Sequence, residues 1–164
     1  MLKAIIMGVA GSGKSSVGAA IAKKIGASYH DGDDLHPQSN IDKMAAGTAL
    51  NDEDRAPWLD SVGRALAQSN APLIIGCSAL KRSYRDRVRA VCPQTKCIHL
   101  AGSREVIEAR MSARKGHFMP VSLLDSQFAT LETLEADEAG FSVNIAQNLD
   151  AVVAEMAAHL IDEY

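Results

Sequence analysis

Apolar residues fall in short runs separated by amphipathic stretches. Leu2 to Met7 is apolar except at Lys3 and stops at Gly8, and Lys14 to Ile25 follows with Val17, Ile21, Ala22 and Ile25 at helical spacing. This predicts strand, loop, helix. Further short strands are expected at Ala27 to His30, Pro72 to Cys77, Thr95 to Leu100 and Phe141 to Ile145, most of them ending in polar residues. Ser103 to Ala113 reads as a helix with a serine cap and Glu105 and Glu108 near its start, where the helix dipole favours acids. Leu149 to Ile161 reads as the last helix.

Continuous apolar strands alternating with helices predict an α/β, doubly wound fold: a mostly parallel five-stranded sheet with helices on both faces, a three-layer sandwich. In such sheets ligands lie beyond the carboxyl ends of the strands, so residues just after Met7, His30, Cys77 and Leu100 are expected in one cleft. The stretch 36–70, helical at Ile41 to Ala46 and Arg55 to Gln68, is expected to cover a substrate. With no linker or repeat, residues 1–164 are read as one domain.

The loop Gly8-Val9-Ala10-Gly11-Ser12-Gly13-Lys14-Ser15 carries the parts that a phosphate cradle needs. Its glycines let the backbone approach phosphate oxygens. Lys14 reaches the β and γ phosphates, Ser15 offers a hydroxyl to Mg2+, and the Ser15 and Ser16 amides open a helix. A guanine-reading Asn-Lys-x-Asp is absent, and the third strand ends Ile74-Ile75-Gly76-Cys77-Ser78 with no Asp of the kind expected in a motor ATPase. A small ATP-dependent kinase is the favoured reading.

After the second strand, Asp31-Gly32-Asp33-Asp34 places at least two carboxylates towards the γ-phosphate, one to hold water on Mg2+ and one to orient an attacking hydroxyl. His36, Lys43, Arg55, Lys81, Arg82 and Arg85 are candidates for gripping a hydroxylated or carboxylated substrate. Arg110, Arg114, Lys115 and His117 run into Gly116 and Pro120, which fits a mobile lid over about 114–135 with Arg114 stabilising charge. Cys77 reads as packing rather than as a nucleophile.

Charge narrows the partners. A formal net charge of -3 and 4% aromatic residues argue against nucleic acid, and no stretch is long enough to span a bilayer. Three cysteines without ligand spacing, and no secretory leader before the first apolar run, predict a cytoplasmic protein.

Taken with the loop and the acidic turn, the segments Leu35-His36-Pro37, Asn40-Ile41-Asp42-Lys43-Met44, Ala56-Pro57-Trp58-Leu59, Cys77-Ser78-Ala79-Leu80-Lys81-Arg82, His117-Phe118-Met119-Pro120 and Ser126-Gln127-Phe128 strongly resemble the gluconate kinase family. The resemblance runs nearly end to end. It implies ATP- and Mg2+-dependent phosphorylation of D-gluconate at the 6-hydroxyl, a fold related to shikimate kinases, and a homodimer. By similarity to those kinases, Asp31 is the carboxylate on the magnesium side, Asp33 the one on the substrate hydroxyl, and Arg110 and Asn148 flank adenine. The chain departs from the family at Thr133-Leu134-Glu135, where a Pro is usual, and a longer helix or altered lid packing is expected there. Two alternatives stay open: a related kinase for another sugar acid or a shikimate-like acid, and a nucleotide-dependent binding module.

Overall fold

The computed structural model describes residues 1–113 and 121–163. Its centre is β1 (Lys3–Met7), buried along its whole length. β1 lies parallel to β3 (Leu73–Gly76) on one side and to β4 (Lys96–Ala101) on the other. β2 (Ser28–Asp31) and β5 (Gly140–Asn144) complete a parallel sheet of order β2-β3-β1-β4-β5. The strand order turns back on itself at β1, and the crevice that opens at such a switch point begins where β1 ends.

Burial explains the strand sequences. Alternate residues of β1 serve opposite layers. Ala4 and Ile6 pack with Val17 and Ile21 of α1 (Lys14–Ile25) and with Val152 and Met156 of α7 (Leu149–His159). Ile5 and Met7 pack with Trp58, Val62 and Leu66 of α3 (Asp52–Gln68) and with Val88 of α4 (Arg82–Val91). A strand covered on both faces has to be apolar throughout, whereas the edge strands β2 and β5 are mostly exposed or half-exposed and tolerate Ser, His, Asp and Asn. The one charge inside β1 is satisfied: Lys3 donates to the carbonyls of Leu66, Ala67 (3.2 Å) and Ser69 (2.7 Å) at the end of α3, where a cation also meets the negative end of the helix dipole.

α2 (Gln38–Ala45) and α3 fill the interval between β2 and β3. Both start three residues before their apolar spacing suggests. For α3 the cause is a reciprocal cap: Asn51 Oδ1 accepts from the Asp54 amide at 2.8 Å, and Asp54 Oδ2 accepts from the Asn51 amide at 3.0 Å. α5 (Arg104–Ser112) is capped by Ser103, as expected from the sequence.

α6 (Val121–Thr130) ends where a longer helix is expected, and the chain beyond it is not helical. The Glu132 amide donates to Leu80 O at 2.7 Å, and the Glu132 carboxylate accepts from the Arg82 amide at 2.8 Å, capping α4 in place of a side chain of its own. Further on, Glu138 is buried against Arg85, with paired contacts of 2.7 and 2.9 Å, while Arg89 donates to it at 2.8 Å. Arg85 also donates to Ala79 O at 3.0 Å, bracing Ala79, the one described residue other than glycine with a left-handed backbone (φ 43°).

Candidate active site

The loop from Gly8 to Gly13 joins β1 to α1. Gly13, at φ 95°, precedes α1 without offering a side-chain cap, and the first turn of α1 holds no acid, so its amides stay available to an anion. Gly11, at φ 81°, leaves no room for a side chain, because a Cβ there would lie 2.8 Å from Met111 Cγ. The Gly8 amide donates to Ser78 O at 3.3 Å, which ties the loop to the end of β3. The Ala10 amide donates to Gln127 Oε1 of α6 at 2.6 Å. The Ser12 hydroxyl is fully buried with no hydrogen-bond partner among the described residues.

Lys14 folds back over the loop and donates to Gly8 O at 3.0 Å and Val9 O at 3.2 Å. Burial pushes its ammonium below the usual lysine range, opposed by Cys77, Asp33 and Asp31. Lys14, Ser15, Asp31, Asp33, Ser78 and Gln127 are among the residues lining a cleft of about 310 Å3. Three of the four expected strand ends therefore meet. The fourth does not: Gly102 and Ser103, after β4, line a separate cavity of about 480 Å3 behind Val9.

The acidic turn is built on Asp31, whose Oδ1 accepts from the Asp33 amide at 3.0 Å and caps a short 3-10 turn, Gly32–Leu35. Trp58 Nε1 donates to Gly32 O at 2.7 Å and pins the turn to α3. Loss of solvent within the cleft raises the Asp33 carboxyl above the usual aspartate range; the Asp31 charge adds to this, and His36 and Lys14 oppose it. His36 stacks on Trp58 at 4.2 Å. The Asn40 amide group donates to Asp54 O, so the same nitrogen, 3.1 Å from His36 Nδ1, donates there too and leaves the imidazole proton on Nε2. Burial, and then Arg55, lowers the His36 pKa, while Asp33 opposes both.

A second cleft, about 700 Å3, opens beside the first and is lined by Asp52, Arg55, Lys81 and Tyr84 among others. Arg55 Cζ lies 5.6 Å and Lys81 Nζ 5.5 Å from the Tyr84 ring centroid, so one aromatic ring organises two cations. The Tyr84 hydroxyl donates to Asp52, and Lys81 pairs with the same carboxylate at 3.4 Å. Arg55 also donates to Leu50 O at 2.7 Å. Ser78 and Gln127 line both clefts.

Other candidates are engaged elsewhere. Lys43 is paired with Asp54 at 2.9 Å, and neither lines a cleft. Arg82, expected at the substrate, makes a two-point contact with Asp137 at 2.7 and 2.8 Å and also pairs with Glu135; Arg85 is locked to Glu138. Helical spacing turns these two arginines towards the segment before β5 and Tyr84 towards the cleft. Arg110 donates to the carbonyls of Ile145 and Gln147 and flanks Gly13, while Asn148 spends its side chain capping α7 on the Ala151 amide at 2.8 Å. Arg114, Lys115 and His117 lie outside the described residues. The buried Cys77 thiol is pushed up to about 12, so it is neutral packing. Asp52, Tyr84, Ser78 and Gln127 had no role on sequence grounds. The i, i+3 pair Lys81 and Tyr84 at the start of α4 carried some signal, whereas Gln127, one of several polar residues of α6, stood out only within the Ser126-Gln127-Phe128 segment of the family resemblance.

Residues 4–136 match the family described as AAA domain. The chain is 47% identical over 154 residues to the thermoresistant gluconokinase of Escherichia coli K12, covering 92% of this chain and 88% of that one. It is 50% identical over 137 residues to the thermosensitive gluconokinase of the same organism, covering 82% and 73%. The crystal structure of a gluconokinase from Sinorhizobium meliloti 1021 superposes with a TM-score of 0.85 at 44% identity, covering 99% of this chain and 97% of that one. Loop, acidic turn, paired clefts and these similarities together show that the chain belongs to the gluconokinase family of P-loop kinases.

Proposed function

We propose that the chain transfers the γ-phosphoryl group of ATP to the 6-hydroxyl of D-gluconate, giving 6-phospho-D-gluconate and ADP. The observation that carries this reading is the junction of two clefts at Ser78 and Gln127, one holding the phosphate loop and the other two cations on Tyr84. ATP phosphates fit the first cleft. The second suits a hydroxylated acid whose carboxylate meets Arg55, which makes no ion pair among the described residues, with Lys81, held by Asp52, beside it; Lys43 and Arg82 are paired with carboxylates and line neither cleft.

The 6-hydroxyl oxygen bonds to the γ-phosphorus as the bond to the β-γ bridging oxygen breaks, and that electron pair leaves on ADP. Asp33 orients the hydroxyl and takes its proton, a task suited to a carboxylate whose pKa is raised towards the working range. Lys14 neutralises charge on the outer phosphate oxygens. His36, with its proton on Nε2 and Asp33 near it, is assigned to a substrate hydroxyl. Arg110 and the backbone at Asn148 are assigned to the adenine side of the loop.

The residues present fit Mg2+: Ser15 and Asp31 line the phosphate cleft, and no cluster of three or more His, Cys, Asp or Glu among the described residues forms a metal cage. An ion held by one hydroxyl, one carboxylate, water and phosphate oxygens is the magnesium pattern. When bound, Mg2+ would neutralise the β and γ phosphates. A homodimer and a cytoplasmic location belong to the same proposal; no described helix is long and apolar enough to cross a membrane.

ADP release measured over a panel of gluconate, other sugar acids and shikimate tests the substrate. Gluconate is expected to give by far the highest kcat/KM, and equal rates across the panel would remove the assignment.

A further inference from the structure

Gln127 joins three parts of the site. Its Oε1 accepts from the Ala10 amide at 2.6 Å, its side chain stands in the walls of both clefts, and the chain just after α6, the helix that carries it, is tied by Glu132 to Leu80 and to the start of α4 at Arg82. The orientation of the carboxamide follows from chemistry. A backbone N–H can only donate, so the oxygen must face Ala10 and the nitrogen, with two N–H groups, turns away from it. That nitrogen has no hydrogen-bond partner among the described residues.

The phosphoryl group must cross from the donor cleft to the acceptor cleft, and the shared wall of the two is Ser78 and Gln127. Charge at that wall is unbalanced: the donor cleft presents Asp31 and Asp33 against Lys14 alone among its charged described residues. An incoming γ-phosphate adds negative charge there. A neutral N–H donor, pre-aimed by the phosphate loop itself, supplies stabilisation without a further ion and without reorganising as charge develops.

We infer that Gln127 is a catalytic residue of the proposed phosphoryl transfer: Ala10 holds its carboxamide oxygen, and its carboxamide nitrogen donates to an oxygen of the transferring phosphoryl group. No proton is moved and no bond is made to the side chain. The inference rests on the gluconate kinase reading above, and wild-type protein assayed in parallel separates the two.

The test compares wild type, Gln127→Ala and Gln127→Glu for kcat, both KM values and inorganic phosphate released by hydrolysis of ATP per phosphoryl group transferred to gluconate. Glutamate keeps the shape and an oxygen that accepts from Ala10 but has no N–H, so a purely structural tie survives in Gln127→Glu and a donor does not. Both variants are expected to melt with the wild type and to lose kcat on the order of 100-fold, with the gluconate KM of Gln127→Ala changed little and its hydrolysis ratio raised. Near-normal kcat in Gln127→Glu, or a loss in Gln127→Ala confined to KM, would overturn the inference while leaving the reaction intact. A wild type that does not phosphorylate gluconate would remove both.

Discussion

Lys14 and Asp33 line one cleft and have opposite reasons to be there. Lys14 sits in a partly buried position that disfavours its charge, held by two carbonyls of its own loop, and phosphate is the partner that suits it. Lys14→Ala is expected to lower gluconate phosphorylation by a factor on the order of 1,000, at the upper end for a lost charge-stabilising donor, with an unchanged melting curve. Wild-type turnover in that variant would remove Lys14 from the mechanism. Asp33 has its folded-state pKa above the unfolded value of 3.8. The folded protein therefore holds this proton more tightly, and stability from Asp33 is lost as pH rises through the raised pKa. At neutral pH its charge weakens the fold. Asp33→Asn is thus expected to abolish transfer and to leave the melting temperature at pH 7 equal or higher. A clear drop would mean that the carboxylate is structural. Arg55→Ala is expected to raise the gluconate KM about tenfold or more, the effect of losing one charge-assisted contact, with the ATP KM unmoved. A parallel rise in both would argue against a carboxylate site at Arg55. Of these residues, Lys14 and Asp33 were legible because their neighbours in sequence are their neighbours in the site. Arg55 was separable from Lys43 and Arg82 only once Asp54 and Asp137 were seen to occupy the others.

At the scale of elements, strands were the most legible feature. β1 and β3 are apolar because both faces are covered, and the structure moves no expected strand limit by more than one residue. The starts of α2 and α3 were harder. Asn51 and Asp54 cap α3 reciprocally, a pattern outside the apolar spacing that locates helices. Of the two outcomes expected at Thr133-Leu134-Glu135, the longer helix does not occur, and the reason is remote: Glu132 leaves the helix to cap α4 and bond Leu80. The ion cluster that follows fixes this connection. Arg85 and Arg89 draw the Glu138 carboxyl down to about 2 against the cost of burial. Since the unfolded value is 4.5, this stabilisation is present above pH 4.5 and is lost as pH falls from there towards 2. Glu138→Ala leaves Arg85 buried without its partner and is expected to cost about 3–5 kcal/mol in denaturant unfolding, whereas an exposed pair would cost under about 1. A loss below 1 kcal/mol would show that the cluster does not hold the segment.

For the molecule as a whole, the sheet order decides where chemistry sits. β1 lies between β3 and β4, so the phosphate loop emerges at the switch point, and β2 brings the acidic turn alongside it from the edge. The intervening α3 then pins the acidic turn through Trp58 and reaches the acceptor cleft with Arg55. Apolar patterning conveyed the strands and helices but not their lateral order, and therefore not that two clefts would share a wall. That wall is what joins a donor to an acceptor. The most direct test follows purified protein with ATP, Mg2+ and gluconate by 31P NMR. A new phosphomonoester on carbon 6, formed in step with ADP, is the predicted result. ADP with inorganic phosphate alone, or no change in ATP, would contradict it.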